Sequence, residues 1–261
     1  MIRSGCVPTA SQPTDAFVVD AALAPGEAGG LRVALSPYIF RGLLVSMAAA
    51  AIALHRVTGN RELAWRFAKA RARDLTALLG VSVHVRGLEH LAGGGPVVFA
   101  PNHQSHLDIL ALLGWLPGRT RFAAKRELWR HPVVGGVLDT LGMVPIDREH
   151  PERSVAALTQ AAAERHSFVV FPEGTRSRTG ALLPFKKGAF VLAIGAGLPV
   201  VPVVCRGTRR LMPRGSRMAV VPGDVEIVIA APVPTTGLTY DDRDALAATV
   251  RAAIERHHTG W

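Results

Sequence analysis

The chain has 261 residues, 49% of them hydrophobic, which is enough to bury a substantial core and excludes a disordered tail or a small stapled scaffold. Lys and Arg outnumber Asp and Glu by 30 to 20, and the resulting net charge of +10 points to polyanions: nucleic acid, an anionic membrane face or phosphorylated substrates. Two cysteines, Cys6 and Cys205, support neither a disulfide framework nor a Cys-based zinc site, and a reducing compartment fits.

Residues 1–30 are rich in Ala, Pro, Gly and Ser without sustained periodicity and read as a mobile arm. Residues 31–79 read as two helices. In the first, the apolar run from Gly42 to Leu54 is short for a bilayer crossing and follows Arg32, Pro37 and Arg41, which suits an interfacial or re-entrant segment. A full crossing would need the stretch from Leu31, with its arginines snorkelling. A secretory signal does not fit an apolar run that starts so far from the first residue. After "TGN", the segment "RELAWRFAKARARDLTALLG" spaces Leu63, Phe67, Leu75 and Leu78 near a helical period among Arg61, Arg66, Lys69, Arg71 and Arg73. With Trp65 this is the composition of a helix lying on anionic headgroups, and equally that of a solvated helix packed on the main domain. Beside its apolar neighbour it makes a membrane-docking hairpin.

Residues 80–261 change character. "VSVHVRG", "PVVFAPN", "TRFAAK", "MVPIDR", "SFVVFPEG", "PVVPVVCRG", "RMAVVPGD" and "VEIVIAAPV" read as strands, and 106–116, 127–141, 151–165, 186–197 and 241–257 as helices. The alternation implies an α/β fold, a mixed and mostly parallel sheet covered by helices, with functional loops at strand ends.

One such end is "NHQSHLD", residues 102–108. A strand finishes at Pro101 and Asn102, and Ser105 followed by Asp108 starts the next helix in capping-box fashion. On a continuous helix, His103 and Asp108 would be rotated by roughly 140°, so they meet only if His103 lies ahead of the helix. An Asp bonded to one imidazole nitrogen fixes the tautomer and leaves the other nitrogen as a general base. Ser105 lacks the G-x-S-x-G elbow of a nucleophile and is better used as a cap. A metal held by His103, His106 and Asp108 lacks a second cluster to complete its shell. His106 alone reads as a solvent-facing residue of the first turn. The economical reading is a histidine that deprotonates a substrate hydroxyl.

A second strand end, "FVVFPEGTRSRTGALLPFKKGAF", brings Arg176, Arg178, Lys186 and Lys187 together beside Gly174, Gly180 and Gly188. Arginine forks match phosphate oxygens, and glycine lets backbone approach them. A solvated basic loop has the same composition, but a loop leaving a strand end of an α/β sheet is where ligands bind.

"NHQSHLD" and "FPEGTRSR" resemble the first and third blocks of the glycerolipid acyltransferase family, which includes the lysophosphatidate acyltransferases; "GMVPIDR" resembles its second block and "LPVVPVV" its fourth. The blocks occur in the family's order over roughly residues 80 to 230. Pro145 departs from the aromatic or aliphatic residue more usual in the second block. The resemblance implies transfer of a fatty acyl group from a thioester to the free hydroxyl of 1-acylglycerol 3-phosphate. It carries the catalytic base onto His103 and its orienting acid onto Asp108, and phosphate or glycerol-phosphate contacts onto Glu173, Gly174, Thr175 and Arg176, with Arg148 from the second block. Arg178 and Lys125 join them by charge and position. Asp147 reads as the partner of a nearby arginine.

No bound cofactor or metal is expected; acyl-CoA or acyl carrier protein serves as co-substrate. The expected setting is peripheral or monotopic on the cytoplasmic face of the cell membrane, where the docking helices meet anionic lipid and a lysophospholipid acceptor. Other acceptors stay open, among them glycerol 3-phosphate, another lysophospholipid, a lyso-aminolipid or a glycolipid. A non-catalytic anionic-lipid binder would have no use for His103 and Asp108. Nucleic acid is not expected, since no recognition-helix, zinc-finger or RNP-like pattern accompanies the charge.

Overall fold

The computed structural model describes residues 27–147 and 149–258. Most of the expected N-terminal arm, and Arg148, lie outside the described residues. Helix α1 begins at Glu27, inside the stretch expected as arm, and runs unbroken to Thr58 through Pro37. Its segment Val33–Thr58 has a mean hydropathy of 1.6 and is long and apolar enough to cross a membrane. The apolar run seen in the sequence is thus the middle of a longer helix.

Gly59 and Asn60 turn the chain into α2 (Arg61–Leu78), where the Asn60 side chain accepts the Leu63 N–H at 3.0 Å and satisfies one of the orphan donors of the first turn. The two helices pack together. The inward face of α2 is not the leucine stripe that the sequence suggests; it is Ala64, Trp65, Ala68, Ala72 and Leu75. Small residues let α2 lie close to α3 (Leu107–Trp115). Trp65, expected among headgroups, is 7% exposed and its indole N–H donates to the Thr120 carbonyl at 2.8 Å. Lys69 and Arg73 donate to the carbonyls of Leu116 and Gly114, where cations suit the negative end of α3.

Among the described residues seven strands form one sheet, in the order β1 (Val81–Arg86), β7 (Gly223–Ile229), β6 (Val200–Arg206), β2 (Val98–Pro101), β5 (Ser167–Val169), β3 (Thr120–Lys125) and β4 (Val144–Ile146). All neighbours are parallel except β6 and β7. The central strands sort their side chains by alternation. Phe99, Val169, Val201, Val203 and Cys205 enter one core with α2 and α3; Val98, Ala100, Phe168, Val200 and Val204 enter the other, with α5 (Pro151–Ala163), α6 (Gly188–Gly195) and α8 (Arg243–His258). The remaining α-helices among the described residues are α4 (Pro132–Thr140) and the single turn α7 (Thr208–Leu211).

"RMAVVPGD" is not a strand up to Gly223. Arg217 and Met218 have positive φ, the Val220 N–H donates to Ser36 Oγ of α1 at 2.9 Å, and the Val221 N–H donates to the Leu211 carbonyl at 2.8 Å. The segment ties α1 to the sheet's edge, helped by Arg41, which donates to the Arg217 carbonyl at 2.9 Å. Further along, α1 rests on α4, with Ile52 against Gly136.

Candidate active site

Because β2, β3, β4, β5 and β6 run parallel, their carboxyl ends share one edge of the sheet, the edge where α/β folds place ligands. His103 follows β2 at the middle of that edge. Asn102, fully buried just before it, exchanges two hydrogen bonds with the Cys205 backbone, donating to the carbonyl at 3.1 Å and accepting the N–H at 2.7 Å. The loop therefore leaves β2 from a fixed point.

Asp108 lies in the first turn of α3 and is completely buried. Its Oδ2 accepts from His103 Nδ1 at 2.8 Å, from the Gln104 N–H at 2.7 Å and from the Ser105 N–H at 2.8 Å. An oxygen already accepting two backbone N–H groups faces Nδ1 as an acceptor, so Nδ1 carries the imidazole proton and Nε2 is the lone-pair nitrogen. Nε2 has no partner among the described residues. The N-cap position of α3 is His106, not Ser105 as expected; Ser105 Oγ accepts the Leu107 N–H at 3.1 Å and donates to the Met212 carbonyl at 2.7 Å, so the serine fixes the approach to the helix and tethers it. The N–H groups of Gln104, Ser105 and Leu107 are thereby used inside the loop.

The third-block loop clasps this one. The Ser177 N–H donates to the His103 carbonyl at 2.8 Å, and the Gln104 amide donates to the Gly180 carbonyl at 2.9 Å. Phe171 stacks on the His103 ring with centroids 3.9 Å apart. Glu173, expected among the phosphate contacts, is instead buried beneath the loop. Its Oε1 accepts the His103 N–H at 2.7 Å and its Oε2 the Leu183 N–H at 2.9 Å. A carboxylate so engaged repels phosphate and braces the base. Burial pushes its carboxyl up from the ordinary value, against the pull of the two N–H donors.

Gly174, Thr175, Arg176 and Arg178 follow directly. Gly174 has φ 65°, and a side chain there would press on Lys186. Thr175 and Arg178 are exposed and Arg176 is half-buried. Arg176 lies close enough to Asp108 and His106 to act on both. His106 is half-buried rather than solvent-facing, and burial, followed by the charges of Arg176 and His103, pushes its imidazole down. Lys125 stands exposed at the carboxyl end of β3 and makes no ion pair among the described residues. Asp147 pairs with Arg126 at 2.5 Å. Among the described residues no cluster of three His, Cys, Asp or Glu side chains suits a metal ion.

Sequence reasoning assigned no role to Asn102, Gln104, Phe171 or Ser177. All four stand inside the two quoted motifs, but their partners come from β6, α8 and the facing loop.

A family model described as Acyltransferase matches residues 82–206. The human 1-acyl-sn-glycerol-3-phosphate acyltransferase alpha is 35% identical over 219 residues, 82% of this chain and 77% of the relative. A chloroplastic 1-acyl-sn-glycerol-3-phosphate acyltransferase of Brassica napus is 40% identical over 153 residues, 57% of this chain and 44% of its own length. The crystal structure of the 1-acyl-sn-glycerophosphate (LPA) acyltransferase PlsC from Thermotoga maritima superposes with a TM-score of 0.70 at 27% identity, covering 89% of this chain and 99% of that one. With the first- and third-block loops gathered around one histidine and a relative 35% identical over 82% of its length, the chain belongs to the acyltransferase family that includes these 1-acyl-sn-glycerol-3-phosphate acyltransferases.

Proposed function

We propose that the protein transfers a fatty acyl group from a thioester, acyl-CoA or acyl carrier protein, to the free hydroxyl of 1-acylglycerol 3-phosphate, giving phosphatidate. The observation that carries this reading is the imidazole of His103, bound through Nδ1 to buried Asp108, with unpartnered Nε2 beside the Arg176 loop. The acceptor hydroxyl gives its proton to Nε2 as its oxygen attacks the thioester carbonyl. The carbon–sulfur bond then breaks, and the imidazolium returns the proton to the leaving thiolate. A thioester is already activated, so orientation and proton transfer suffice without an acyl-enzyme. Arg176, Arg178 and Lys125, with the backbone at Gly174 and Thr175, hold the acceptor's phosphate; Arg148 belongs to this set by resemblance.

A lysophospholipid acceptor partitions into the bilayer, and α1 is suited to meet it there. One side of α1 packs on the protein through Ser36, Phe40, Leu44, Met47 and Ala51, while the other exposes Leu35, Tyr38, Leu43 and Val45. Because Ser36 and Arg41 hold one half of the helix to the domain and Ile52 lies against it in the other half, α1 lies along the membrane surface rather than crossing it. Arg66 and Arg71, exposed on α2, add attraction to anionic lipid. This gives a monotopic enzyme on the cytoplasmic face, where acyl thioesters are made.

The test is thiol release from palmitoyl-CoA with lysophosphatidate, glycerol 3-phosphate, lysophosphatidylglycerol and a non-phosphorylated lysolipid. Turnover should be greatest with lysophosphatidate. His103→Ala should lower it about 10²- to 10⁴-fold, and Arg176→Ala should raise the acceptor's KM. Near-normal turnover by His103→Ala would remove the general base, and an unchanged acceptor profile in Arg176→Ala would remove the phosphate clamp.

A further inference from the structure

The acyl-transfer reading brings two phosphate-bearing substrates to one histidine. The acceptor carries one phosphate. The donor carries another, because coenzyme A and a carrier protein both present the thioester on a phosphopantetheine arm. Held side by side, two such anions would repel, so a site serving both needs two distinct basic regions. One is the third-block loop with Lys125; another follows β6, and the two meet where Arg209 and Arg214 donate to the carbonyls of Arg178 and Arg176. β5, β3 and β4 lie on one side of β2, with Lys125 at the end of β3; β6 lies on the other, followed by Arg206, Arg209 and Arg210.

On the β6 side is a cavity of about 160 Å³ lined by Gln104, Thr179, Arg206, Arg209, Arg210 and His258. Drug-sized ligands occupy pockets of about 300 Å³ or more, so this one is too small for a nucleotide or a fatty chain and suits a single phosphate group. No Asp or Glu lines it. Arg206 is already paired with Glu226 at 2.8 Å, and Glu226 with Arg86 at 2.8 Å, so one carboxylate serves two guanidinium groups. Arg209 uses only its Nε, on the Arg178 carbonyl at 3.3 Å, and has no carboxylate partner among the described residues. Thr179 Oγ1 accepts the Ala181 N–H at 3.3 Å, which leaves its hydroxyl hydrogen to donate. Gly207, with φ 83°, packs against the Asp224 carbonyl too closely for any side chain, and this turn presents the three arginines within five residues. The wall is also joined to the chemistry: Gln104, whose side chain faces the cavity, gives its backbone N–H to Asp108.

We propose that this cavity holds the phosphate of the donor's phosphopantetheine arm, which extends the acyl-transfer reading and rests on it.

The experiment compares palmitoyl-phosphopantetheine, palmitoyl-pantetheine lacking the phosphate, palmitoyl-CoA and palmitoyl carrier protein, each at varied concentration with lysophosphatidate. It uses wild type, R209Q/R210Q and the charge-keeping R209K/R210K. Wild type should favour the phosphorylated arm over palmitoyl-pantetheine by about tenfold or more in kcat/KM, the scale of a charge-assisted contact. R209Q/R210Q should erase that preference by raising the KM of all three phosphorylated donors, leaving palmitoyl-pantetheine and the acceptor's KM unchanged, and the lysines should restore part of it. Retained preference in R209Q/R210Q would overturn the proposal, as would a raised acceptor KM. A defect confined to palmitoyl-CoA would overturn it in favour of the nucleotide's phosphates, and one confined to the carrier protein in favour of a protein surface. No turnover of any donor by wild type would instead sink the acyl-transfer reading, and this proposal with it.

Discussion

The loop at residues 102–108 and the helix pair at 27–78 solve opposite problems. In the loop, polar side chains close on the protein itself: Asn102 on Cys205, His103 on Asp108, Gln104 on Gly180 and His258, and Ser105 on Met212. In the helix pair, apolar side chains remain open, with Tyr38 72% and Val45 62% exposed. This polar order is built within the fold, with His103 Nε2 and Asp108 Oδ1 left without a partner among the described residues, whereas the apolar face of α1 is satisfied only against an apolar medium. The difference suggests that chemistry and location are separable in this molecule, each alterable with little effect on the other.

Three substitutions sharpen that contrast. The largest effect is expected at the brace under the loop. Glu173→Gln must turn an N–H toward one of the two backbone donors it now satisfies, displacing the base by a fraction of an ångström. It should lower kcat about 10- to 100-fold with little change in acceptor KM, while vesicle binding stays at the wild-type level. Loss of vesicle binding in parallel would show that the two regions are coupled. Next, Val45→Glu places a charge on the open face of α1. It should weaken binding to anionic vesicles about tenfold, given the transfer energy of a valine-sized side chain, and leave turnover of a soluble short-chain acceptor unchanged. An equal loss on both measurements would make α1 a folding element.

The smallest effect concerns pH. Burial, followed by the Arg206 charge, holds the His258 imidazole below its ordinary value of 6.5, and its Nε2 accepts from the Gln104 amide at 2.9 Å. Below pH 6.5 the unfolded chain therefore binds a proton that the folded one resists, so stability falls as pH drops through that window. Tm should be lower at pH 5.5 than at pH 7.5, and His258→Gln, which keeps an acceptor without titrating, should reduce that slope. His106 and His166 are shifted the same way, so some slope should remain. An unchanged slope would mean that the contact between α8 and the loop does not respond to protonation.

The sequence reading was most informative where function depends on fixed short offsets. His103 and Asp108 are five residues apart, and their meeting depends only on where α3 starts. The β-branched runs of β2, β5 and β6 declared buried strands for the same local reason. Legibility failed where partners are distant or where small residues matter. Gln104 and His258 are 154 positions apart, and no spacing rule joins them. The buried face of α2 is mostly alanine, so a search for large apolar residues selected Leu63 and Leu78, which remain exposed. Val220 and Val221 looked like a strand because they are apolar and β-branched, but their N–H groups bond to Ser36 and Leu211 instead of a ladder. Glu173 enters the phosphate set only through its place in the third block, although a carboxylate there is more natural as an acceptor for backbone N–H groups.

The pairing of β1 with β7 has a consequence for the order in which the molecule forms. Val81 opposes Gly223, so more than half of the chain lies between two strands that must meet. Contacts of such separation are slow to close, and chains this long fold through partly organised stages. The segment upstream of β1 is α1 and α2, whose own pairing is local and fast by comparison. The apolar helix therefore exists before the edge of the sheet against which Ser36 and Arg41 will rest. During that interval the part of its inward stripe that α2 does not cover is as bare as its outward one, and a nearby bilayer would shelter both. A membrane would then act on this protein first as a holding surface for an unfinished chain, and only afterwards as the place where its substrate is found.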